Sequence, residues 1–368
     1  MTTASVAAST DHRGSVLPTL SMVTTRFMEL RRRRGLMVAL SMVTVGLPTI
    51  FLAVRLLLHA IAPRTYGPAG GYDIYTGLTV GVLYTLGFLV AATLGATAGS
   101  VDLTEGMFRH LVVTGRSRIA LYFARIPAGL AIILPLVAIG FSIVCAVCAV
   151  AAPSQLSING MKVPVGLSRT QLETFAVGHA DEVLCDFPSF NVNVAVPCGG
   201  GGPSGPVIIT RSGPTGPATA AQVNAAAIKV ADQNYIDYKR QFVVPPISLM
   251  VKTGLWLELE AAIGFLVALG LGSLIGQRTV AMVMMIVLEI ILTPIVLRTQ
   301  IPHLINLQRA VIGIATAHLE PSRLPLAFGG GGHDYRVTES TTTAVIVVLA
   351  WVIGWTLLGA WRMRTRDA

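Results

Sequence analysis

Six apolar runs, each long enough to cross a bilayer as a helix, constrain this chain more than anything else in it. They cover residues 36–61, 74–98, 126–152, 254–275, 279–297 and 343–361. A hydrocarbon core about 30 Å thick needs ~20 apolar residues in a helix. In lipid only a helix or a closed barrel satisfies its own backbone. The chain is 53% hydrophobic and 12% charged, whereas a soluble domain carries roughly 25% charge. The sequence therefore predicts an all-α polytopic membrane protein with six transmembrane helices.

The basic residues set the expected orientation. Net charge is +9, but the cations do not form one patch and no nucleic-acid-binding motif accompanies them, which excludes nucleic acid as a partner. They sit at the ends of the runs. Arg31, Arg32, Arg33 and Arg34 precede the first, and Arg109, Arg116, Arg118 and Arg125 separate the second from the third. Arg278 lies between the fourth and fifth, and Arg362, Arg364 and Arg366 follow the sixth. Cytoplasmic loops accumulate arginine and lysine, so both termini are expected in the cytoplasm. Arg298, Arg309, Arg323 and Arg336 strain this pattern. The partly apolar stretch 303–319 among them reads either as a re-entrant helix buried against protein or as a plain surface helix. Of the 27 basic residues only Lys162, Lys229, Lys239 and Lys252 are lysines. With abundant Ala, Val and Gly, this suggests a bacterium of high GC content and an inner (plasma) membrane location.

Four regions follow. Residues 1–35 are a cytoplasmic tail and an interfacial elbow helix. The helix is expected from Leu17, Leu20, Val23, Phe27 and Leu30, which recur at helical spacing; a disordered tail is the alternative. The run after the arginines is too long for the apolar part of a cleavable signal. Residues 36–152 hold the first three spans and a cytoplasmic loop, 99–125. Residues 153–250 form an extracytoplasmic insertion, with helices expected over 167–177 and 218–240 and a Gly/Pro-rich middle that will not form one. Residues 251–368 hold the last three spans, the re-entrant segment 298–342 and a basic cytoplasmic tail.

Cys185 and Cys198 lie in the insertion, and outside the cell two such thiols tend to pair. A disulfide is expected, with two free thiols as the alternative; it would stabilise the loop by roughly 3 kcal/mol. Cys145 and Cys148, within the third run, read as small packing residues. Ionisable residues inside spans are functional candidates. Glu289 sits near the middle of the fifth run, where a cavity or a buried pair is expected. Arg55, Glu258 and Glu260 either line a path, pair across helices or snorkel to the outer interface.

No chemistry-bearing motif is present. A phosphate-binding G-x-x-x-x-G-K-[ST] sequence is absent. His179, Asp181, Glu182 and Asp186 lack metal-ligand spacing, and His303, His318 and His333 form no ligand pattern. The chain is read as neither an enzyme nor a cofactor- or metal-binding protein.

The loop between the second and third runs carries an ordered pattern. Glu105 and Gly106 come first, then Arg109 and Leu111, Gly115 and Arg116, Ser117 and Arg118, and finally Arg125. It resembles the cytoplasmic loop of type-2 ATP-binding-cassette transporter permeases. Met107 stands where Thr is usual there, Gly115 where Pro is commoner, and Arg125 where Lys is commoner. The resemblance extends over nearly the whole chain except the insertion. It implies an elbow helix, six spans, cytoplasmic termini and re-entrant helices before the last span. It further implies a membrane-spanning permease subunit, an exporter, that joins a second permease subunit and a separate ATPase subunit using ATP and Mg. Glu105, Gly106, Arg109, Leu111, Gly115, Arg116, Ser117 and Arg118 would then couple to that ATPase. Two other readings stay open: a membrane sensor with an external ligand-binding cap, and an ion-coupled secondary transporter.

Overall fold

The apolar runs become helices because nothing else in lipid pairs every backbone N–H and C=O within one segment. The computed structural model describes residues 17–62, 66, 68–104, 117–153, 155–158, 161–180, 183–184, 219–240, 243–298, 301–321, 337 and 339–365. Among the described residues six helices are long and apolar enough to cross a membrane: α2 (Arg34–Ile61), α3 (Tyr72–Val101), α4 (Arg118–Val150), α7 (Ile247–Ile275), α8 (Arg278–Val296) and α11 (Thr341–Thr365). They are preceded by α1 (Leu20–Arg32). Between α4 and α7 lie a hairpin, β1 (Gln155–Ile158) and β2 (Met161–Pro164), and two helices, α5 (Arg169–Gly178) and α6 (Ala220–Arg240). Two short helices, α9 (Ile305–Arg309) and α10 (Ile312–His318), stand before α11.

The spans alternate in direction, so one end of the bundle carries Arg118, Arg278, Arg362 and Arg364, and the opposite end carries the insertion. We call these the basic end and the cap end. Helix α7 is the most buried span and touches α3, α4, α8 and α11. Its contact with α3 is built from small residues. A Cβ on Gly95 would collide with the Phe265 carbonyl, and one on Gly99 would lie 2.5 Å from the Leu269 carbonyl. Small residues let membrane helices approach to backbone contact. In exchange α2 and α8, the least buried spans, turn Ile50, Phe51, Leu57, Val283 and Ile291 outward.

Helix α1 docks on the start of α4, with Met22 packed against Ala120, Leu121 and Ala124. Its inward face is Met22, Arg26 and Leu30, while Leu17 and Leu20 are exposed. The apolar stripe expected to act as one face is therefore split, because protein covers one side of the helix and leaves the other apolar side open. Arg26 turns along the helix to Glu29 at 2.6 Å.

Among the described residues the insertion adds one β-hairpin to an otherwise helical chain. Strands β1 and β2 pair antiparallel, with Gln155 opposite Pro164 and Ile158 opposite Met161. The two expected helices are present as α5 and α6. Ser168 caps α5 through a reciprocal bond with Gln171, which satisfies two first-turn donors. Leu172, Ala176, Ala227, Val230 and Val163 form a small core of their own. Arg169 bridges to Asp232 on α6 at 2.6 Å, and its hydrogen bond holds the Asp232 carboxyl below the usual range.

Tyr238 is the clamp of this cap. Its hydroxyl donates to the Pro164 carbonyl at 2.7 Å and accepts from the Leu167 N–H at 2.8 Å. Tyr238→Phe strands both groups and should destabilise the cap by about 1–3 kcal/mol. Hydrogen exchange at the Leu167 amide is the measurement; unchanged protection would show that the clamp is dispensable. The pairing expected of Cys185 with Cys198 lies outside the described residues. Cys148 is buried and Cys145 half-buried, both free.

Candidate functional site

Among the described residues three spans depart from α-helical winding: α2 does so over Met42–Gly46, and the other two where they approach each other at the centre of the bundle. Helix α3 is π-wound over Thr79–Tyr84, and α8 over Val287–Leu292. A π turn inserts one residue into the ladder and is frequent at functional sites. In α3 it carries Tyr84 onto the face already occupied by Tyr75 and Thr79, a position that regular winding would give to residue 83. In α8 it carries Glu289, which shares a buried face with Met285 and Thr293. The Thr293 hydroxyl donates back five residues to the Leu288 carbonyl at 3.0 Å, which satisfies an acceptor that the π turn loosens.

The π segments of α3 and α8 meet. Tyr84 Oη donates to Glu289 Oε1 at 2.7 Å, a buried bond between residues 205 apart in sequence. Trp256 of α7 stacks on the Tyr84 ring, with centroids 4.9 Å apart and planes within 9°. Its indole N–H donates to the Thr316 carbonyl of α10 at 3.2 Å. One turn further along α7, Glu260 is 2% exposed, adjoins Thr316 and feels the charges of Glu289 and Glu320. Each of Tyr84, Glu260 and Glu289 lies near the middle of its span. The result is a buried polar centre shared by α3, α7, α8 and α10.

Broken backbone forms one wall of this centre. The chain turns sharply between α9 and α10, and lipid would not tolerate the carbonyls freed there. Side chains from neighbouring helices meet them instead. Trp351 of α11 donates to the Ala310 carbonyl at 2.8 Å, and the Gln308 side chain accepts from the Ile301 N–H at 3.1 Å. Gly313 lets α10 press onto α8, since a Cβ there would collide with the Thr293 side chain. His318 closes the segment: its Nε2 accepts from the Glu339 N–H at 3.1 Å, and Nδ1 lies 3.0 Å from the Ile314 carbonyl.

The four ionisable residues picked from the spans do not act together. Glu289 and Glu260 enter the centre. Snorkelling, one expectation for Glu260, is ruled out by its burial: the helix face it occupies is covered by α3 and α10, not by the interface. Glu258, two residues away on another face, is half-buried. Arg55 donates to the Pro68 carbonyl at 2.8 Å, so it anchors the loop at the cap end rather than pairing with a glutamate. Tyr84, Trp256 and Thr316 were missed because they read as ordinary core or loop residues. The π turn that aligns Tyr84 has no local sequence signature.

Of the coupling candidates, Glu105, Gly106, Arg109, Leu111, Gly115 and Arg116 lie outside the described residues. Ser117 is the N-cap of α4, and Arg118 donates to the Arg364 carbonyl at 3.4 Å. Arg125, 2% exposed, donates to the Gly99 carbonyl at 3.2 Å, and Ser273 donates to the same oxygen at 3.3 Å. The ends of α3, α4 and α7 are thus tied at one atom. Among the described residues no three His, Cys, Asp or Glu side chains converge on a metal position. Comparison with protein-family models and with curated proteins finds no match to this chain.

Proposed function

We propose that the chain is the membrane-spanning permease subunit of an ATP-driven exporter, energised by a separate ATPase subunit and completed by a second permease subunit. The reading starts from the ordered residues 105–118. One structural observation carries it further: this segment joins two spans whose ends share a fixed anchor, the Gly99 carbonyl gripped by Arg125 and Ser273. A push on the loop is therefore delivered to α3, α4 and α7 together, and α3 and α7 supply Tyr84, Trp256 and Glu260 to the buried centre. A loosely hinged loop would absorb the same push. Arg118, tied to the Arg364 carbonyl, extends the anchor to α11.

The other features of a type-2 permease have counterparts that support this reading. Helix α1, which leaves Leu20 and the preceding Leu17 exposed, would serve as the elbow helix at the cytoplasmic interface. The α9–α10 pair would serve as the re-entrant segment. The cap would stand outside the cell, and the exposed apolar faces of α2 and α8 are available to lipid or to the second permease subunit.

Reversing charge in the loop tests the proposal. Arg109→Glu with Arg118→Glu removes charge-assisted contacts with an acidic partner surface, a loss of about 2–5 kcal/mol when such a contact is buried. The tagged chain, purified from native membranes, should bring down an ATPase subunit. The double variant should insert normally but lose that subunit or uncouple hydrolysis from transport. A wild-type chain that purifies without any ATPase would overturn the reading. An ion-coupled secondary transporter is the second reading, favoured by the buried Glu260–Glu289 centre. It requires transport in vesicles that contain no nucleotide.

A further inference from the structure

Hydroxyl groups on α3 and α7 fall into two sets. Towards the basic end, Thr93, Thr97 and Ser100 of α3 each donate to a carbonyl of their own helix at 2.7–2.8 Å, and Ser273 donates to Gly99. Towards the cap end Thr76 also donates to its own helix, to the Asp73 carbonyl at 3.0 Å, but its neighbours do not. Tyr75 Oη, Thr79 Oγ1 and Thr253 Oγ1 are buried without a hydrogen-bond partner, and so is Glu260 Oε1. Two other partnerless hydroxyls, Tyr122 and Thr356, belong to α4 and α11.

By their places along α3 and α7, which pack together, the four atoms run from near the cap end to mid-span. Tyr75, Thr79 and Tyr84 share one face of α3 because of the π turn. Thr253, Leu257 and Glu260 share one face of α7, one and two turns apart. Tyr75 and Thr253 oppose each other near the cap end without the geometry of a formed hydrogen bond. The line from Tyr75 to Tyr84 covers roughly 13 Å of helix. A partnerless buried polar group is costly and is normally satisfied by water. A hydroxyl both donates and accepts, so a row of them can pass protons.

The line ends on two carboxyls that lack a cation. Glu260 and Glu289 are 2% and 5% exposed. The titratable groups facing them are Tyr84 from α3, Glu320 just beyond α10, and each other. Neither forms an ion pair with a described residue. Glu258 lies on a different face of α7, and His318 spends both ring nitrogens on Ile314 and Glu339. Two neighbouring carboxylates cannot both stay ionised in such surroundings without a compensating positive charge. The Tyr84 proton already serves Glu289 Oε1, and Glu260 Oε1 has nothing.

We propose that Glu260 and Glu289 form a proton-binding site that is reached from the cap end along the hydroxyls of Tyr75, Thr253 and Thr79. A proton arriving along this line bonds to a carboxylate oxygen and leaves as the same proton; no other bond is made or broken. The site does not depend on how the chain is energised, so it stands or falls separately from the ATPase partnership.

Infrared difference spectroscopy on the full chain in nanodiscs tests it. At neutral pH the wild type should show a protonated-carboxyl C=O band that moves in D2O. Glu260→Gln and Glu289→Gln should each diminish the band, and Tyr84→Phe should shift it by removing a hydrogen bond. Thr79→Val and Thr253→Val should leave its intensity intact and slow its deuteration severalfold. Thermal melts confirm that the isosteric variants fold. A wild type without such a band, or a band indifferent to both Glu→Gln changes, overturns the proposal. A band that appears only when sodium is replaced by choline assigns the site to a sodium ion and overturns the proton.

Discussion

Gly99→Leu should dismantle the bundle, whereas Gly77→Leu on the same helix should not. A Cβ at Gly99 would stand 2.5 Å from the Leu269 carbonyl and 2.9 Å from the Ser273 N–H, both of them backbone atoms of α7. Backbone cannot swing aside as a side chain can, so α3 and α7 must separate. Overpacking a flexible core costs about 1–3 kcal/mol. This site should exceed that range, because separation also pulls the Gly99 carbonyl away from Arg125 and Ser273. Gly77 has nothing within 4 Å of its would-be Cβ, and leucine there gains helix propensity over glycine. Thermal melts in detergent, read by size-exclusion chromatography, give the comparison. Equal melting temperatures for the two variants would show that α3 and α7 do not touch through their backbones.

Trp256→Ala carries the second large effect. Trp256 is 3% exposed, stacks on Tyr84 and donates to Thr316. Truncating a buried tryptophan typically costs about 3–5 kcal/mol. Here the loss also frees the Tyr84 ring, which positions the donor for Glu289, and releases α10 from α7. Trp256→Phe separates these contributions. It keeps an aromatic ring against Tyr84 and loses only the indole N–H bond. The Thr316 carbonyl still accepts from the Leu319 N–H at 3.0 Å, so the cost should be about 0.5–1.5 kcal/mol. Alanine should thus lower the melting temperature markedly, while phenylalanine preserves most of it. If phenylalanine proves as damaging as alanine, the hydrogen bond to α10 rather than the stack is what holds the centre together.

Both effects rest on contacts that local sequence does not announce. Gly95 and Gly99 are visible as small residues in an apolar run, but which helix they receive is set by packing. Tyr84 and Glu289 illustrate the same limit more sharply: their bond joins residues 205 apart, each on a π turn that forms against its neighbours. Glu260 has several open readings within its span, and only its burial under α3 and α10 selects one. Nothing in the local sequence singles out Trp256.

What the sequence determined by itself is the number of spans, their alternation and the separateness of the insertion. Run length and composition are local properties, and a bilayer converts an apolar run into a helix whatever surrounds it. The helices α5 and α6 were legible for the same reason, through local propensity, capping residues and Gly/Pro punctuation. Only the tertiary structure decided that the insertion also carries a β-hairpin and that α1 turns Met22, Arg26 and Leu30 inward. It alone decided which polar residues of the spans meet. Helices in lipid are sorted by close packing and by the need to satisfy buried polar groups. Those terms belong to pairs of surfaces, and no single stretch of chain contains both members of a pair.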